Sequence, residues 1–128
     1  MLIMSTREII ITDYIDAYNH FDIERMLLHL DEAVLFENIS GGAVNLSLDG
    51  LAAFKEQAVE AANLFSQRKQ TIISWRHDEQ MTEVEISFHA VLAADLPNGL
   101  KKGAELNLQG KSVFRFSGDK IIGLKDFS

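Results

Sequence analysis

No cysteine occurs in the 128 residues, which excludes a disulfide framework, a thiol nucleophile and a thiolate metal site. Proline is nearly missing too: one residue, alongside 47% apolar and 24% charged side chains, a balance foreign to disordered and collagen-like chains. Basic residues are outnumbered, twelve against nineteen acidic, for a formal net charge of −7. A polyanion is repelled on average by such a surface, and no local basic cluster offsets it, so neither nucleic acid nor an anionic membrane is expected as a partner. Apolar runs are too short to span a bilayer. Residues 1–12 lack the basic start, long apolar stretch and small-residue site of a secretory leader, so the chain reads as cytoplasmic. What is present suffices for one core: at this length folding hides roughly two-thirds of the unfolded surface, and 1–128 reads as one domain.

Periodicity divides the chain into three helices, with two short strands before the third, and a long meander after them. Ile9, Ile10, Tyr14, Ala17, Tyr18 and Phe21 recur at helical spacing. Ser5 with Glu8 three residues on makes a capping box, so 5–21 is expected to be an amphipathic helix. A second, nearly continuous helix is expected from Asp22 as N-cap through Leu30, with Phe21 and Met26 spaced as a hydrophobic staple. Residues 33–39 alternate as a strand, with Val34, Phe36 and Asn38 on one face and Leu35, Glu37 and Ile39 on the other. After the break at Gly41-Gly42, 43–48 alternates again. Asp49 is then expected to cap a third helix whose apolar stripe carries Leu51, Phe54, Ala58, Ala61, Ala62 and Phe65.

Beyond Ser66 come four strand-like segments, 69–77, 82–95, 104–116 and 120–127. Polar 78–80, Pro97-Asn98-Gly99 and Ser117-Gly118-Asp119 separate them, each with turn chemistry. Three helices followed by a meander predict an α+β fold, with the helices covering one face of a curved antiparallel sheet that forms a cone with an internal pocket.

Element order and local strings together carry a resemblance. The string from Tyr14 to Asp22 ends the first helix, Phe36-Glu37-Asn38 lies on the first strand, and Ser112-Val113-Phe114-Arg115-Phe116 precedes the hairpin into Lys120-Ile121-Ile122. In this order the chain resembles the nuclear transport factor 2-like superfamily, within it the SnoaL-like and ketosteroid isomerase-like branch, over nearly its whole length. The resemblance implies a cystatin-like cone whose helices leave an apolar pocket. Fold alone does not fix activity.

The isomerases of that branch need a carboxylate base and two oxyanion donors, a tyrosine and a protonated aspartic acid; the enzyme is itself a standard example of tuned pKa values. By resemblance the tyrosine falls on Tyr14. The base falls on Asn38, whose amide takes no proton from carbon at neutral pH, and the second donor on Ser112, so isomerisation by that route is disfavoured. The related limonene epoxide hydrolase pattern finds its strand asparagine in Asn38 and its last aspartate in Asp126. Phe36 replaces its tyrosine, and Gly110 and Ser112 stand where its arginine and aspartate belong, which leaves that arrangement incomplete.

Residue chemistry, taken position by position, leaves two readings for each candidate. Tyr14 and Tyr18, one turn apart, present hydroxyls at two depths to a pocket or are core tyrosines bonded to backbone carbonyls. Asn38 serves a ligand or bonds the adjacent turn. Asp126 shares strand parity with Leu124 and Ile122; facing inward it carries a raised pKa or a partner and is the best candidate acid or base, and frayed near the chain end it is a solvated carboxylate. Ser112 is the one polar side chain on a face with Phe114 and Phe116. His20, His29, His77 and His89 have no ligand-like spacing, and no metal or cofactor is expected. No serine has a nucleophile-elbow context and no glycine run cradles phosphate. Glu85, Ser87 and His89 form the less apolar face of their strand, and if Trp75 lies there too, a homodimer through that outer face hides it.

The leading expectation is a domain that binds a small, largely apolar molecule through Tyr14, Tyr18, Phe36, Asn38, Phe54, Ser112, Phe114 and Asp126. Alternatives are an isomerase, cyclase or hydrolase of the same family acting on a carbonyl or epoxide with Asp126 and Tyr14 as catalytic groups, and a dimeric association module without ligand.

Overall fold

A computed structural model describes residues 4–128. Helix α1 spans Thr6–Asn19 behind Ser5, whose hydroxyl accepts from the Glu8 amide while the Glu8 carboxylate accepts from the Ser5 amide. That backbone bond, with a hydrogen bond from His77, holds the Glu8 carboxyl below its usual pKa. Ile10, Ile11, Tyr14, Ile15 and Ala17 make the buried face of α1. Phe21 then takes φ 58°, a left-handed turn uncommon for a bulky residue. It separates α1 from α2, Ile23–Leu27, which Asp22 caps by accepting from the Arg25 amide.

The second helix is shorter than its periodicity predicts. Strand β1, Leu30–Ser40, begins where the helix was expected to end. Leu30 is 3% exposed and pairs with Ile121, so sheet formation claims it. Strand β2, Ala43–Asp49, follows a turn in which Gly41 and Gly42 both have positive φ. Asp49 was the expected cap of the third helix, but it pairs with Leu35 as the last residue of β2. The chain then turns at Gly50, φ 96°, which a side chain resists. Helix α3, Leu51–Ala62, ends before Phe65, which opens β3, Phe65–His77. Strands β4, Met81–Leu92, β5, Glu105–Ser117, and β6, Lys120–Phe127, complete the chain.

The six strands order as β2-β1-β6-β5-β4-β3 in one curved, unclosed sheet. The expected antiparallel pairing holds for four of the strand pairs described; β1 and β6 are parallel. The meander brings its last strand back beside β1 in the same direction, a pairing that requires a long connection rather than a hairpin. Its register sets β1 Phe36 against Leu124 and Asn38 against Asp126.

Helices and the inner sheet face enclose the core. Ile11, Val34, Val84, Phe114, Ile121 and Leu124 are at most 1% exposed, and Tyr18, Phe36, Trp75 and Phe116 pack against their cluster. Trp75 therefore faces inward, contrary to the outward placement considered from the sequence. The cause is a bulge in β3: Ile72 pairs with Ile86 but Ser74 with Glu85. Ile73 is the extra residue, 57% exposed, and strand parity inverts after it. Trp75 and His77 thereby pair with the buried Val84 and Thr82. No helix among the described residues is long and apolar enough to cross a membrane.

Candidate functional site

Strand register lines up a row of residues across the inner face. From β2 to β3, Leu46, Asn38, Asp126, Ser112, Val84 and Trp75 pair in succession. Three neighbouring polar residues are thus flanked by apolar ones. The Ser112 hydroxyl donates to Asp126 Oδ1 at 2.6 Å. Protein surrounds the Asp126 carboxyl closely, and the part left accessible faces two cavities that it lines. Burial pushes its pKa up from 3.8 to about 6, against the lowering effect of the Ser112 hydrogen bond. A carboxyl so placed changes protonation in mildly acidic water and offers an oxygen acceptor above that range and a donor below it.

The cavities lie side by side and share Tyr18, Asn38 and Asp126. One, of about 270 Å³, is walled by Phe65, Phe88, Ile86 and Leu108, with Gln70 and Ser112 among its polar groups. The other, of about 220 Å³, lies between α1, α3 and β2 and is lined by Tyr14, Phe36, Phe54, Leu46, Leu48 and Ala58. Edge-on aromatic pairs shape both: Phe36 with Phe54 at 5.6 Å, and Phe65 with Phe88 at 6.0 Å, an arrangement favoured by ring quadrupoles.

Of the sequence candidates, Tyr14, Tyr18, Phe36, Asn38, Phe54, Ser112 and Asp126 come together on these walls. Phe114 does not: 1% exposed, it sits edge-on to Tyr14 at 5.8 Å in the core and lines neither cavity. Its strand parity is shared with Ser112, but it lies one row deeper, opposite Leu124 and Thr82. Neither tyrosine hydroxyl donates to a backbone carbonyl among the described residues. Burial, then the nearby Asp126 charge, raises the Tyr14 pKa well above 10. Burial also raises Tyr18 to about 12, with Arg68 opposing it. Both phenols therefore keep their protons and remain donors.

Gly110 explains why an arginine is missing where the epoxide hydrolase pattern has one. A Cβ at this position would lie 2.6 Å from the Phe127 carbonyl oxygen, so backbone occupies the space a side chain needs.

Arg68 is the residue that pattern reading missed. It sits in the polar string Ser66-Gln67-Arg68-Lys69-Gln70, which has the look of a solvated strand, yet it is 5% exposed. Its Nε donates to the Tyr18 carbonyl at 2.8 Å. Next to it, Asn19 clasps the Gln70 backbone through both amide atoms at 2.7 and 3.0 Å, fixing the end of α1, and so Tyr18, over β3. His77 bridges Thr82 and Glu8 through its two ring nitrogens. Among the described residues no three His, Asp or Glu are placed to hold a metal ion.

This geometry, helices over a curved sheet with a polar row at the floor of an apolar cleft, defines a class rather than an activity. A family model described as SnoaL-like domain matches residues 11–124, and the chain belongs to that family. Among solved structures, a candidate polyketide cyclase from Xanthomonas campestris pv. campestris superposes with a TM-score of 0.80 at 20% identity, over 97% of this chain and 93% of that one. A second candidate polyketide cyclase, from Pseudomonas putida KT2440, gives 0.79 at 21% identity over 98% and 92%. TerC, co-crystallised with polyporic acid, gives 0.77 at 14% identity over 95% and 90%. At these identities the likeness is one of fold. No curated protein matches the chain.

Proposed function

We propose that the protein binds a small, largely apolar molecule bearing at least one hydrogen-bonding oxygen in the paired cavities. The observation that carries this reading is the contiguous Asn38, Asp126 and Ser112 row opening into apolar, aromatic-walled space. Buried polar groups with room beside them are the mark of a ligand site. Neighbours described as candidate polyketide cyclases support the same class of ligand. A thermal-shift screen of steroid-, terpenoid- and aromatic polyketide-like compounds tests it. A ligand at a hundredfold excess over its Kd adds about 2.7 kcal/mol of stability. Hits that vanish in Tyr14→Phe or Asn38→Ala support the pocket, and a panel without any shift counts against it.

One observation favours a catalytic reading of the same site. Asp126 has a pKa raised toward neutrality and lies in a cleft with a protonated phenol, Tyr14, on the wall of the same cavity. This combination suits proton transfer beside a carbonyl or epoxide oxygen, with Asp126 as acid or base and Tyr14 as donor to the developing oxyanion. Turnover unchanged in Asp126→Asn would remove this reading.

The outer sheet face favours self-association. A groove of about 320 Å³ there is lined by Leu35, Val113, Ile122 and Met81 among charged residues. Leu35 and Met81 are 44% and 38% exposed, apolar surface that a second copy would cover.

A further inference from the structure

Arg68 carries a buried charge without an acidic partner. Its guanidinium carbon lies 3.7 Å from the Tyr18 ring centroid and 4.5 Å from that of Phe21. Nη2 is buried and has no hydrogen-bond partner. Among the described residues no carboxylate pairs with it; the other buried arginine nitrogen without a partner, Nε of Arg25, belongs to a side chain that reaches Asp13 and Asp16. Arginine is rarely buried whole unless paired, because its charge loses hydration that only an opposite charge or full hydrogen bonding replaces. Two aromatic faces and the carbonyl end of α1 replace part of that loss. One edge of the guanidinium stays unmet.

Tyr18 joins this charge to the pocket, since the ring stacked on the guanidinium also lines both cavities. Asp126 lines the same two cavities. The titratable groups around Arg68 are thus Tyr14 and Tyr18 from α1, whose phenols stay neutral, with Asp126 on β6 acting on both of them.

We propose that the pocket selects small aromatic acids, molecules with a flat apolar body and one anionic oxygen group, and that Arg68, acting through Tyr18, determines this selectivity. The inference rests on the ligand-binding reading above and specifies its ligand. A guanidinium walled by aromatic rings is poorly screened, so its field favours negative charge at the Tyr18 end of the cavities. A cation against the tyrosine strengthens the phenol as a donor to an anionic oxygen. The walls of Phe65, Phe88 and Tyr18, edge-on between Phe65 and Phe88 and tilted between Tyr18 and Phe88, suit a flat ring. A neutral ligand of equal shape gains the wall contacts and leaves the buried charge uncompensated.

Naphthoate and naphthamide, equal in shape and unequal in charge, test this by calorimetric titration in mildly acidic, low-salt buffer, below the Asp126 transition. Wild type is expected to bind naphthoate about tenfold tighter than the amide, a step typical of a charge-assisted bond. Arg68→Met is expected to lose that preference and Arg68→Lys to keep most of it, which separates charge from packing. Tyr18→Phe retains the stacked ring and removes the hydroxyl; it is expected to lower the preference with the cation in place, and it carries the test if Arg68→Met unfolds. Equal affinities in wild type overturn the inference. So does a preference that survives Arg68→Met, or one that disappears in Lys111→Met, since Lys111 is a half-exposed cation lining the larger cavity and such a loss would put the anion at the rim. Amide binding without acid preference removes this inference alone; no binding of either probe overturns it too, and the pocket reading falls with it when the thermal-shift panel is also silent.

Discussion

Asp126 concentrates the physical tension of the site in one side chain. Its folded pKa of about 6 lies above the ordinary 3.8 because burial disfavours the carboxylate. The native state then holds the proton more tightly than the unfolded chain. Stability from this group is complete below the unfolded value and is lost as pH rises through the folded one, over the range from 3.8 to about 6. At 1.36 kcal/mol per unit the gap is worth at most roughly 3 kcal/mol. Asp126→Asn keeps an acceptor for Ser112 and removes the charge. Urea unfolding is therefore expected to show the variant more stable than wild type at neutral pH and level with it below pH 4. A loss at neutral pH would mean a well-hydrated carboxylate. Gly110 makes the opposite kind of prediction: Gly110→Ala drives a methyl against the Phe127 carbonyl, and overpacking of that sort costs about 1–3 kcal/mol, measurable in the same assay.

At the scale of elements, α1 holds the site together from its two ends. Its N-terminus carries the capping box, and replacing the Ser5 side chain by alanine is expected to cost about 1 kcal/mol in thermal or urea unfolding. Nearby, Arg7 donates to the Asp78, Glu79 and Met81 carbonyls and lies over the Phe116 ring at 5.3 Å, which ties the helix to the β3–β4 turn. Hydrogen exchange in Arg7→Ala is expected to quicken at the turn amides, above all that of Asp78, which bonds to the Met81 carbonyl, while β5 stays protected. The C-terminal end is anchored by Asn19 and Arg68. The two ends differed in legibility. Ser5 and Glu8 act through backbone groups three residues apart and are visible in a string of letters. Asn19 reaches Gln70 and Arg68 reaches Tyr18 across some fifty residues of chain, and no local pattern announces such partners.

For the whole molecule, the outer groove and the inner cavities make separable predictions. If the outer face mediates association, light scattering after size exclusion is expected to give a dimer mass, and Leu35→Glu is expected to return it to the monomer while ligand-induced thermal shifts persist. A monomer at working concentration in the unaltered chain would remove the association reading and leave the pocket reading untouched. Periodicity was enough for three helices ahead of the four-strand meander, for the turns at Gly41-Gly42 and Ser117-Gly118-Asp119, and for the inward parity of Asn38, Ser112 and Asp126, because alternation and capping are local consequences of backbone geometry. Local rules failed where pairing overrode them: Leu30 went to β1 rather than α2, Asp49 to β2 rather than a cap, and Trp75 turned inward after the bulge at Ile73. The parallel pairing of β6 with β1, the joining of Asn38, Asp126 and Ser112 into one row, and the burial of Arg68 under two aromatic rings arose only in three dimensions. Each depends on contacts between residues far apart in the chain, whose free energy exists only once the strands have paired and the helices lie across them.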